Sequence, residues 1–322
     1  MNKRMVVLVT RKLPLAVEDR LRRDYEPRFN ADDRLYPTDE LISLAQGADA
    51  IIPCHTEKLS AEVIARLPAS IKAIVCFSVG TDHVDLAAAK ARNIIVTNTP
   101  DVLADATAEV AMLLMLGAAR RASEGERLIR AGKWNTWSPA FMVGRQVTGK
   151  RLGIVGMGRV GQVTAQRARG FEMTILYSNR SRLAPELEKG ATFYQTVEAM
   201  LPHCDFLALH CPATPETHHL LNAKRIALLP DGAIIVNTAR GSVVDDDALV
   251  SALRSGKLAA AGLDVFNGEP DNIHAGYREL ENTFLLPHIG SATFETRDAM
   301  GFRALDNLDA IASGRKPHDR VA

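Results

Sequence analysis

Short apolar runs alternate with longer segments of helical periodicity along almost the whole chain, in two successive series. The runs have the length of strands, and the segments between them have the apolar spacing of amphipathic helices. Strands that alternate with helices in this way are typical of parallel sheets, because a parallel strand needs a crossover connection to return. The pattern therefore predicts an α/β protein with two sheets.

The first series predicts a small open sheet, and the second has the length of a full dinucleotide-binding sheet. Strands of the first series are M-V-V-L-V-T (5–10), A-D-A-I-I-P (48–53), I-K-A-I-V-C-F (71–77) and N-I-I-V-T-N-T (93–99). Strands of the second are K-R-L-G-I-V-G (150–156), M-T-I-L-Y-S (173–178), D-F-L-A-L-H (205–210), A-I-I-V-N-T (233–238), A-A-G-L-D-V (260–265) and F-L-L-P-H-I (284–289).

The connections between the two series suggest how the domains are divided. Segment 101–121 is helical with apolar residues on more than one face, which predicts a helix buried between the two domains. The chain turns helical again from about Thr293, and the simplest path returns this last helix to the first sheet. We therefore expect one discontinuous domain, residues 1–99 and 290–322, around an inserted domain, residues 100–289. Both should be doubly wound parallel sheets.

Composition narrows the possible ligands. The 322 residues are 47% hydrophobic, and 39 Lys plus Arg against 38 Asp plus Glu leave a net charge of +1, which disfavours polyanion binding. The longest apolar segment, from Val110, is about half the length that spans a bilayer. The cysteines are Cys54, Cys76, Cys204 and Cys211, and they lack C-x-x-C spacing. Reduced thiols in a soluble cytoplasmic protein are expected, although Cys54 or Cys211 as a nucleophile stays an alternative.

The motif G-M-G-R-V-G, Gly156 to Gly161, lies directly after a predicted strand and before a predicted helix. Gly156 permits the tight turn, Gly158 lets backbone approach a pyrophosphate, and Gly161 allows the helix to pack against its strand. The helix N-terminus then offers free N–H groups to the doubly charged diphosphate. In this strand-turn-helix setting the motif predicts dinucleotide binding rather than a structural turn.

The next strand of the same sheet ends in L-Y-S-N-R-S-R, residues 176–182. An NAD-binding fold usually places an acidic residue here, which bonds the adenosine ribose hydroxyls and repels a 2′-phosphate. Ser178, Asn179 and Arg180 instead remove the repulsion and supply a hydroxyl and a cation, with Arg182 as a possible second cation. We therefore predict that NADPH is preferred over NADH, against the alternative of a solvated basic turn.

Three polar residues stand at the ends of later strands, where open α/β sheets bind their ligands: Arg240 in N-T-A-R-G, Glu269 in F-N-G-E-P and His288 in L-P-H-I-G. His288 can give a proton to a reduced ketone, and Arg240 can hold a carboxylate in a fixed fork. Glu269 would orient the imidazole and favour its protonated form. Taken singly, each residue also has a structural alternative. Arg240 could form a surface ion pair, Glu269 could be a turn residue before Pro270, and His288 could be a hydrogen-bonded histidine after Pro287.

These motifs together resemble one family. G-M-G-R-V-G, N-T-A-R-G-S-V-V-D, A-A-G-L-D-V-F-x-x-E-P and L-P-H-I-G-S-A-T are similar in spacing and order to the D-isomer-specific 2-hydroxyacid dehydrogenases, over essentially the whole chain. The resemblance implies a Rossmann cofactor domain inserted into a flavodoxin-like substrate domain. It also implies a homodimer joined mainly through the cofactor domains, and catalytic roles for Arg240, Glu269 and His288.

The resemblance extends to the binding residues. F-S-V-G-T-D-H-V-D matches the family loop whose N–H groups hold the substrate carboxylate, which points to Val79 and Gly80, although an ordinary glycine turn would look similar. Thr107 resembles the family residue near the pyrophosphate, and Asp264 resembles the one near the nicotinamide carboxamide. We also expect cofactor contacts from the residues Arg159, Val160, Pro212, Thr238, Ala239 and Gly290.

Within the family, S-V-G-T-D, T-N-T-P-D-V-L, W-N-T-W and P-H-I-G-S-A-T look most like the glyoxylate and hydroxypyruvate reductases. We thus expect a small 2-oxo acid to be reduced to its D-2-hydroxy acid. Trp134 or Trp137 would enter the partner subunit's site, or both would be interface or core aromatics. No metal is assigned, since His203, His210, His218 and His219 lack helical ligand spacing with carboxylates and hydride transfer needs none.

Two alternatives remain from the sequence. A phosphoglycerate dehydrogenase would belong to the same family, but many of those carry an extra regulatory domain and an acidic NAD-selecting residue. A nucleotide-sensing corepressor on the same fold would be of another class, and it would be expected to carry partner-docking extensions. Neither feature is evident in this sequence.

Overall fold

The computed structural model describes residues 4–322 and divides the chain into two compact units. The first comprises Met1–Leu103 and Ala292–Ala322, and the second comprises Ala104–Ser291. The predicted domain boundaries at 99/100 and 289/290 lie a few residues before these limits. Residues 1–3 of the predicted first domain fall outside the described part of the chain.

Strands and helices alternate in both units. The strands are β1 (Val6–Val9), β2 (Glu26–Arg28), β3 (Ala50–Ile52), β4 (Ala73–Val75), β5 (Ile95–Thr97), β6 (Arg151–Val155), β7 (Thr174–Ser178), β8 (Thr192–Tyr194), β9 (Phe206–Leu209), β10 (Ala233–Asn237), β11 (Leu258–Leu263) and β12 (Thr283–Leu285). The helices are α1 (Leu15–Asp24), α2 (Thr38–Leu44), α3 (Ala61–Arg66), α4 (Leu86–Ala91), α5 (Ala104–Ala119), α6 (Ala122–Arg130), α7 (Arg159–Arg169), α8 (Pro185–Glu188), α9 (Val197–Met200), α10 (Ala223–Leu228), α11 (Asp246–Arg254), α12 (Ala275–Glu279) and α13 (Phe294–Ala312). Short 3₁₀ turns span Leu201–His203, Pro215–Thr217 and Gly241–Val243.

The first unit is a five-stranded parallel sheet of order β2-β1-β3-β4-β5. This is the order of a flavodoxin-like sheet, as expected from the resemblance. Helix α13 returns to this unit, where Met300, Leu305 and Leu308 join the apolar core on one face of the sheet. The chain beyond α13 reaches β5, because Val321 N–H donates to the Val96 carbonyl at 2.8 Å.

The second unit is a seven-stranded parallel sheet of order β12-β11-β10-β9-β6-β7-β8. Counted from β6, this is the Rossmann order with one added strand. Apolar cores cover both faces of the sheet, which explains why its strands are nearly continuous hydrophobic runs. The predicted fold class, two doubly wound parallel-sheet domains with a Rossmann fold in the second, is confirmed.

Helix α5 follows the prediction of a buried helix. Eleven of its sixteen residues are buried, and six of them belong to the apolar core on one face of the second sheet. Its contact with β11 is close: a Cβ atom on Gly262 would lie 2.6 Å from the Leu114 carbonyl oxygen. Although α5 is strongly apolar, none of the helices within residues 4–322 has both the length and the hydrophobicity needed to cross a membrane.

Two edge strands are absent from the sequence prediction. Strand β2 has the sequence E-P-R and pairs with β1, and β8 has the sequence T-F-Y and pairs with β7. Neither contains a fully buried residue. They are held by backbone hydrogen bonds on one side only, and so a search for apolar runs does not detect them.

Candidate active site

The glycine-rich loop lies after β6, where the strand order of the second sheet reverses. Gly156 has φ +94°, and a Cβ atom there would lie 2.6 Å from the Cys211 backbone nitrogen. A Cβ atom on Gly161 would lie 2.4 Å from the Gly156 carbonyl oxygen, so α7 begins directly against the loop. Gly156 N–H also donates to the Ser178 carbonyl at 3.0 Å. Only glycine satisfies the positive φ and the close backbone approach together.

The start of α7 has the features of a diphosphate site. Its N-cap is Gly158, which has no side chain to cap the first N–H groups. No atom lies within 4 Å of the position that a Gly158 Cβ would occupy. The first turn, which contains Arg159 and Val160, thus presents the positive end of the helix dipole without a capping side chain from Gly158. These residues fit the diphosphate of a dinucleotide.

The turn after β7 carries the predicted phosphate-reading residues. Ser178 is buried, Asn179 is half-buried, and Arg180 is exposed. Arg182, considered from sequence as a second cation, instead binds the carboxylate of Glu188 through Nε at 2.8 Å and Nη2 at 3.0 Å. Both arginines are exposed, and Arg182 is the one whose guanidinium is engaged by a buried carboxylate.

The ends of β9 and β10 carry Pro212, Thr238 and Ala239. The Thr238 hydroxyl bonds His210 Nδ1 at 3.0 Å, while Ala239 N–H donates to Asn237 Oδ1 at 2.9 Å. Burial lowers the pKa of His210 to about 4, so its imidazole is neutral at physiological pH. Sequence reasoning considered His210 only as a metal ligand. His210 lies at the end of a predicted strand, where open α/β sheets bind ligands. That position was the sequence signal that could have placed it beside the glycine-rich loop.

The acid–base pair of the second unit is formed by His288 and Glu269. His288 Nδ1 lies 2.5 Å from Glu269 Oε1. The other carboxylate oxygen, Oε2, accepts the Phe266 N–H at 2.8 Å. Both side chains are about a quarter exposed, at 26% and 22%. Because the Nδ1 edge of the ring is bound to the carboxylate, the Nε2 edge is the one that can exchange a proton with a ligand.

Asp264 fixes the segment that carries His288. The N–H groups of His288, Ile289 and Gly290 all donate to Asp264, the first to its carbonyl and the other two to separate carboxylate oxygens, each at 2.8 Å. Burial raises the pKa of Asp264, although the two backbone N–H groups on the carboxylate oppose this shift. The three bonds hold His288 at φ +53°, a value that a histidine adopts only where its surroundings impose it.

Thr107 and Gly290 lie together near the start of α5. A Cβ atom on Gly290 would lie 3.4 Å from Thr107 Cγ2 and 3.1 Å from Asp264 Oδ2. The predicted pyrophosphate residue and the predicted nicotinamide residue are thus brought next to the segment that carries His288.

Arg240 follows β10 and is half-buried. Its Nη1 donates to the Ala239 carbonyl at 2.8 Å, and its own carbonyl accepts the Asn237 side-chain amide at 3.0 Å. A Cβ atom on Gly241 would lie 2.0 Å from the Phe266 carbonyl carbon, so the Arg240 loop packs against the loop that leads to Glu269. Arg240, Glu269 and His288 therefore stand on adjoining loops at the carboxyl ends of β10, β11 and β12.

In the first unit, Val79 and Gly80 lie in the loop after β4. The Val79 carbonyl accepts the Asn98 amide at 2.8 Å, and the Gly80 carbonyl accepts the Ser78 hydroxyl at 2.7 Å. Among residues 4–322, no acceptor is bonded to either backbone N–H. Two N–H donors of one rigid loop can bind an anion such as a carboxylate.

Other predicted residues fall outside these loops. The four cysteines are unpaired, and burial raises the pKa of Cys54 to about 12 and that of Cys211 to about 11, which disfavours either thiol as a nucleophile. Trp134 is 57% exposed and Trp137 is 77% exposed, so the alternative of core aromatics is wrong. The His218 and His219 rings stack at 4.0 Å, and His203 is exposed.

Comparison with known proteins identifies the family. Residues 112–290 match the family model described as "D-isomer specific 2-hydroxyacid dehydrogenase, NAD binding domain". The chain is 46% identical over 310 residues to the glycerate dehydrogenase of Hyphomicrobium methylovorum, covering 96% of both chains. It is 41% identical over 317 residues to the glyoxylate reductase of Thermococcus onnurineus, covering 97% of this chain and 94% of that one.

A solved structure gives the same result. The NADPH-dependent glyoxylate/hydroxypyruvate reductase of Sinorhizobium meliloti, in complex with NADP and malonate, superposes with a TM-score of 0.88 at 33% identity, covering 99% of this chain and 97% of that one. The family model and the relatives agree with the fold, the glycine-rich loop and the residues at the strand ends. The chain is therefore an enzyme of the D-isomer-specific 2-hydroxyacid dehydrogenase family.

Proposed function

We propose that this enzyme reduces a small 2-oxo acid, such as glyoxylate or hydroxypyruvate, to the D-2-hydroxy acid with NADPH, and that His288 is the general acid. The observation that carries the proposal is the His288–Glu269 pair at the carboxyl end of the Rossmann sheet. The names of the relatives support the substrate class, since glycerate is the 2-hydroxy acid that corresponds to hydroxypyruvate.

The cofactor, when bound, supplies the hydride that reduces the carbonyl carbon. Residues Gly156 to Gly161 would hold its diphosphate, and Asp264 and Gly290 would lie toward its nicotinamide end. The substrate oxygen then needs a proton, which His288 delivers from Nε2 while Nδ1–H stays on Glu269. The product leaves as the hydroxy acid with one hydride and one proton added.

Arg240 and the first-unit loop have the chemistry to bind the acid group. The Arg240 guanidinium holds a carboxylate or a polarised carbonyl in a planar fork. The Val79 and Gly80 N–H groups are a second carboxylate-binding element. Small 2-oxo acids are suited to the Arg240 fork because their carboxylate and carbonyl oxygens are adjacent.

The preference for NADPH rests on Ser178, Asn179 and Arg180. These residues contain no carboxylate that would repel a 2′-phosphate, and Arg180 is an exposed cation at the end of β7. A charge-assisted hydrogen bond is worth about 1.5–3 kcal/mol, so Arg180→Ala should raise the dissociation constant of NADPH by about 10- to 150-fold. The affinity of this variant for NADH should change little. The variant Asn179→Asp should shift the cofactor preference toward NADH.

We further propose a homodimer in the cytoplasm. Residues 113–143 of the second unit expose Leu113, Ile129, Trp137 and Val143, and α6 has no buried residue. A face of this kind is suited to a second copy of the chain. Unpaired cysteines fit a reducing compartment. Light scattering on the purified protein measures the oligomeric state, and a monomer would refute the dimer.

The central experiment measures cofactor oxidation by the purified enzyme with glyoxylate and hydroxypyruvate, using NADPH and NADH in parallel. We expect kcat/KM to be higher with NADPH. We expect His288→Ala to lower kcat by about 100- to 10,000-fold with an unchanged NADPH dissociation constant. His203→Ala, at an exposed histidine of the same unit, is the matched control. No oxidation with either acid would favour the corepressor alternative, and a His288→Ala enzyme with half of the wild-type kcat would refute the acid assignment.

A further inference from the structure

A buried glutamate lies behind the turn that carries Arg180. Glu188, at the end of α8, is 6% exposed. Its Oε1 accepts the Tyr177 hydroxyl at 2.6 Å and Arg182 Nε at 2.8 Å, and its Oε2 accepts Arg182 Nη2 at 3.0 Å. The Tyr177 hydroxyl in turn accepts the Leu183 N–H at 3.0 Å. We call Tyr177, Arg182 and Glu188 the Glu188 clamp.

The turn is fixed at both ends, and the clamp fixes the second of them. At its start, the Ser178 carbonyl is bound to the Gly156 N–H, which ties the turn to the glycine loop. At its end, Arg182 and Leu183 are bound to Glu188 and Tyr177. Hydrogen bonds from Arg182 and then Tyr177 lower the pKa of Glu188, so the carboxylate keeps its charge near neutral pH. A bidentate pair with a buried, ionised carboxylate is a rigid anchor.

The two arginines of the turn have different neighbours. Arg182 is paired with Glu188. Arg180 instead acts on Glu216 in the 3₁₀ turn after β9: a hydrogen bond from Thr214 lowers the pKa of Glu216 most, and the charge of Arg180 lowers it further. Strands β7 and β9 flank β6 on its two sides, so the turns that carry Arg180 and Glu216 lie on either side of the glycine loop.

We propose that Glu188 is a positioning residue for cofactor selectivity, which withdraws Arg182 from the cofactor and holds the 178–183 turn so that Arg180 alone reads the 2′-phosphate. This inference rests on the proposed NADPH preference and names the residue that sets it. Glu188 itself does not touch the cofactor. Its effect passes through the conformation of Arg180, because a side chain that is already ordered loses less freedom when it binds.

The test uses two cofactor fragments, 2′,5′-ADP and 5′-AMP, and calorimetric titration of the full-length enzyme without substrate. They differ in the 2′-phosphate alone. The wild type should bind 2′,5′-ADP more tightly. Glu188→Gln keeps the shape of the side chain and removes its charge. It should raise the dissociation constant of 2′,5′-ADP by about three- to ten-fold and leave that of 5′-AMP within about two-fold of the wild-type value. Glu186→Gln, at an exposed glutamate of the same helix, should change neither.

A double-mutant cycle tests the route through Arg180. In an Arg180→Ala background, Glu188→Gln should have no further effect on 2′,5′-ADP, because the two residues act as one unit. Tyr177→Phe is a second variant that loosens the clamp without removing a charge, and it should weaken 2′,5′-ADP in the same direction. Thermal melting of each variant establishes that it is folded.

Three results would overturn the inference. If Glu188→Gln strengthens 2′,5′-ADP, then released Arg182 reads the phosphate directly. If both fragments weaken equally, then Glu188 supports only the fold. If the wild type binds the two fragments equally, then the NADPH preference itself is wrong, and the role of the clamp in selectivity is wrong with it.

Discussion

Replacing Glu269 with glutamine tests the acid–base pair with the smallest possible change in shape. The carboxylate uses both of its oxygens: Oε1 lies 2.5 Å from His288 Nδ1, and Oε2 accepts the Phe266 N–H at 2.8 Å. A glutamine has one acceptor oxygen and one NH₂ group. In either orientation of the amide, its NH₂ group, a donor, faces a group that donates a hydrogen bond to the Glu269 carboxylate in the wild type.

Both orientations should slow the reaction. If the NH₂ faces Phe266, a backbone donor is left opposite another donor and the side chain is displaced. If it faces His288, the ring can accept at Nδ1 only as the neutral tautomer, which gives up its Nε2 proton poorly. A charge-assisted hydrogen bond is worth about 1.5–3 kcal/mol, which corresponds to a fall in kcat of about 10- to 150-fold.

The assay is steady-state kcat at saturating NADPH and glyoxylate, with the NADPH dissociation constant measured in parallel. We expect kcat to fall and the dissociation constant to stay within about two-fold, because the pair transfers the proton rather than binding cofactor. Glu279→Gln, whose carboxylate pairs with Arg254 on the surface, is the control. A Glu269→Gln enzyme with kcat within about three-fold of wild type would show that the carboxylate does not assist His288.

The remaining predictions concern the acid group, the glycine loop and the first unit. Arg240→Lys should stay within about ten-fold of Arg240→Ala in kcat/KM, because a point charge cannot replace the fork, and near-wild-type activity in the lysine variant would refute this. Gly161→Ala should lower the melting temperature and weaken the cofactor, since its Cβ would lie 2.4 Å from a backbone oxygen; Gly158→Ala, with no atom within 4 Å, should weaken the cofactor alone. Equal melting losses in the two variants would contradict the packing argument. Burial alone would raise the pKa of Asp319, but bonds from Arg303 and a neighbouring asparagine outweigh it and lower the pKa. The Asp319 carboxylate therefore stabilises the fold above its ordinary pKa of 3.8 and loses this effect as pH falls through the lowered value. In urea unfolding, Asp319→Asn should cost about 3–5 kcal/mol near pH 7 and progressively less as pH falls below 3.8, and a pH-independent difference would exclude the ion pair as the cause.

Sequence patterns revealed the fold wherever a strand is buried on both faces. The core strands of both sheets were predicted, because each needs a continuous apolar run. Strands β2 and β8 were missed, since edge strands are held through backbone groups that every residue possesses. Arg240, Glu269 and His288 were predicted as site residues because they follow the carboxyl ends of parallel strands, which meet at one edge of the sheet. Their catalytic roles stay predictions.

The parts of the site that the sequence did not reveal depend on partners distant along the chain. Asp264 was expected near the nicotinamide, and nothing in its neighbours indicates that it also receives N–H groups from the segment of His288. From the sequence, Arg182 was a possible second cation beside Arg180. The difference between them lies in Glu188, whose carboxylate bonds Arg182 and Tyr177 of β7.

The return of α13 to the first unit has a consequence for how the protein is synthesised. Helix α13 supplies Leu305 and Leu308 to the core of that unit, and the last residues bond to β5. On a ribosome, the whole second unit must emerge before these partners exist. While residues 104–291 are translated, the N-terminal sheet therefore has α1 on this face but lacks the apolar side chains of α13. During this interval the first unit exposes apolar surface that a chaperone can bind. The second unit can therefore complete its fold before the first unit does.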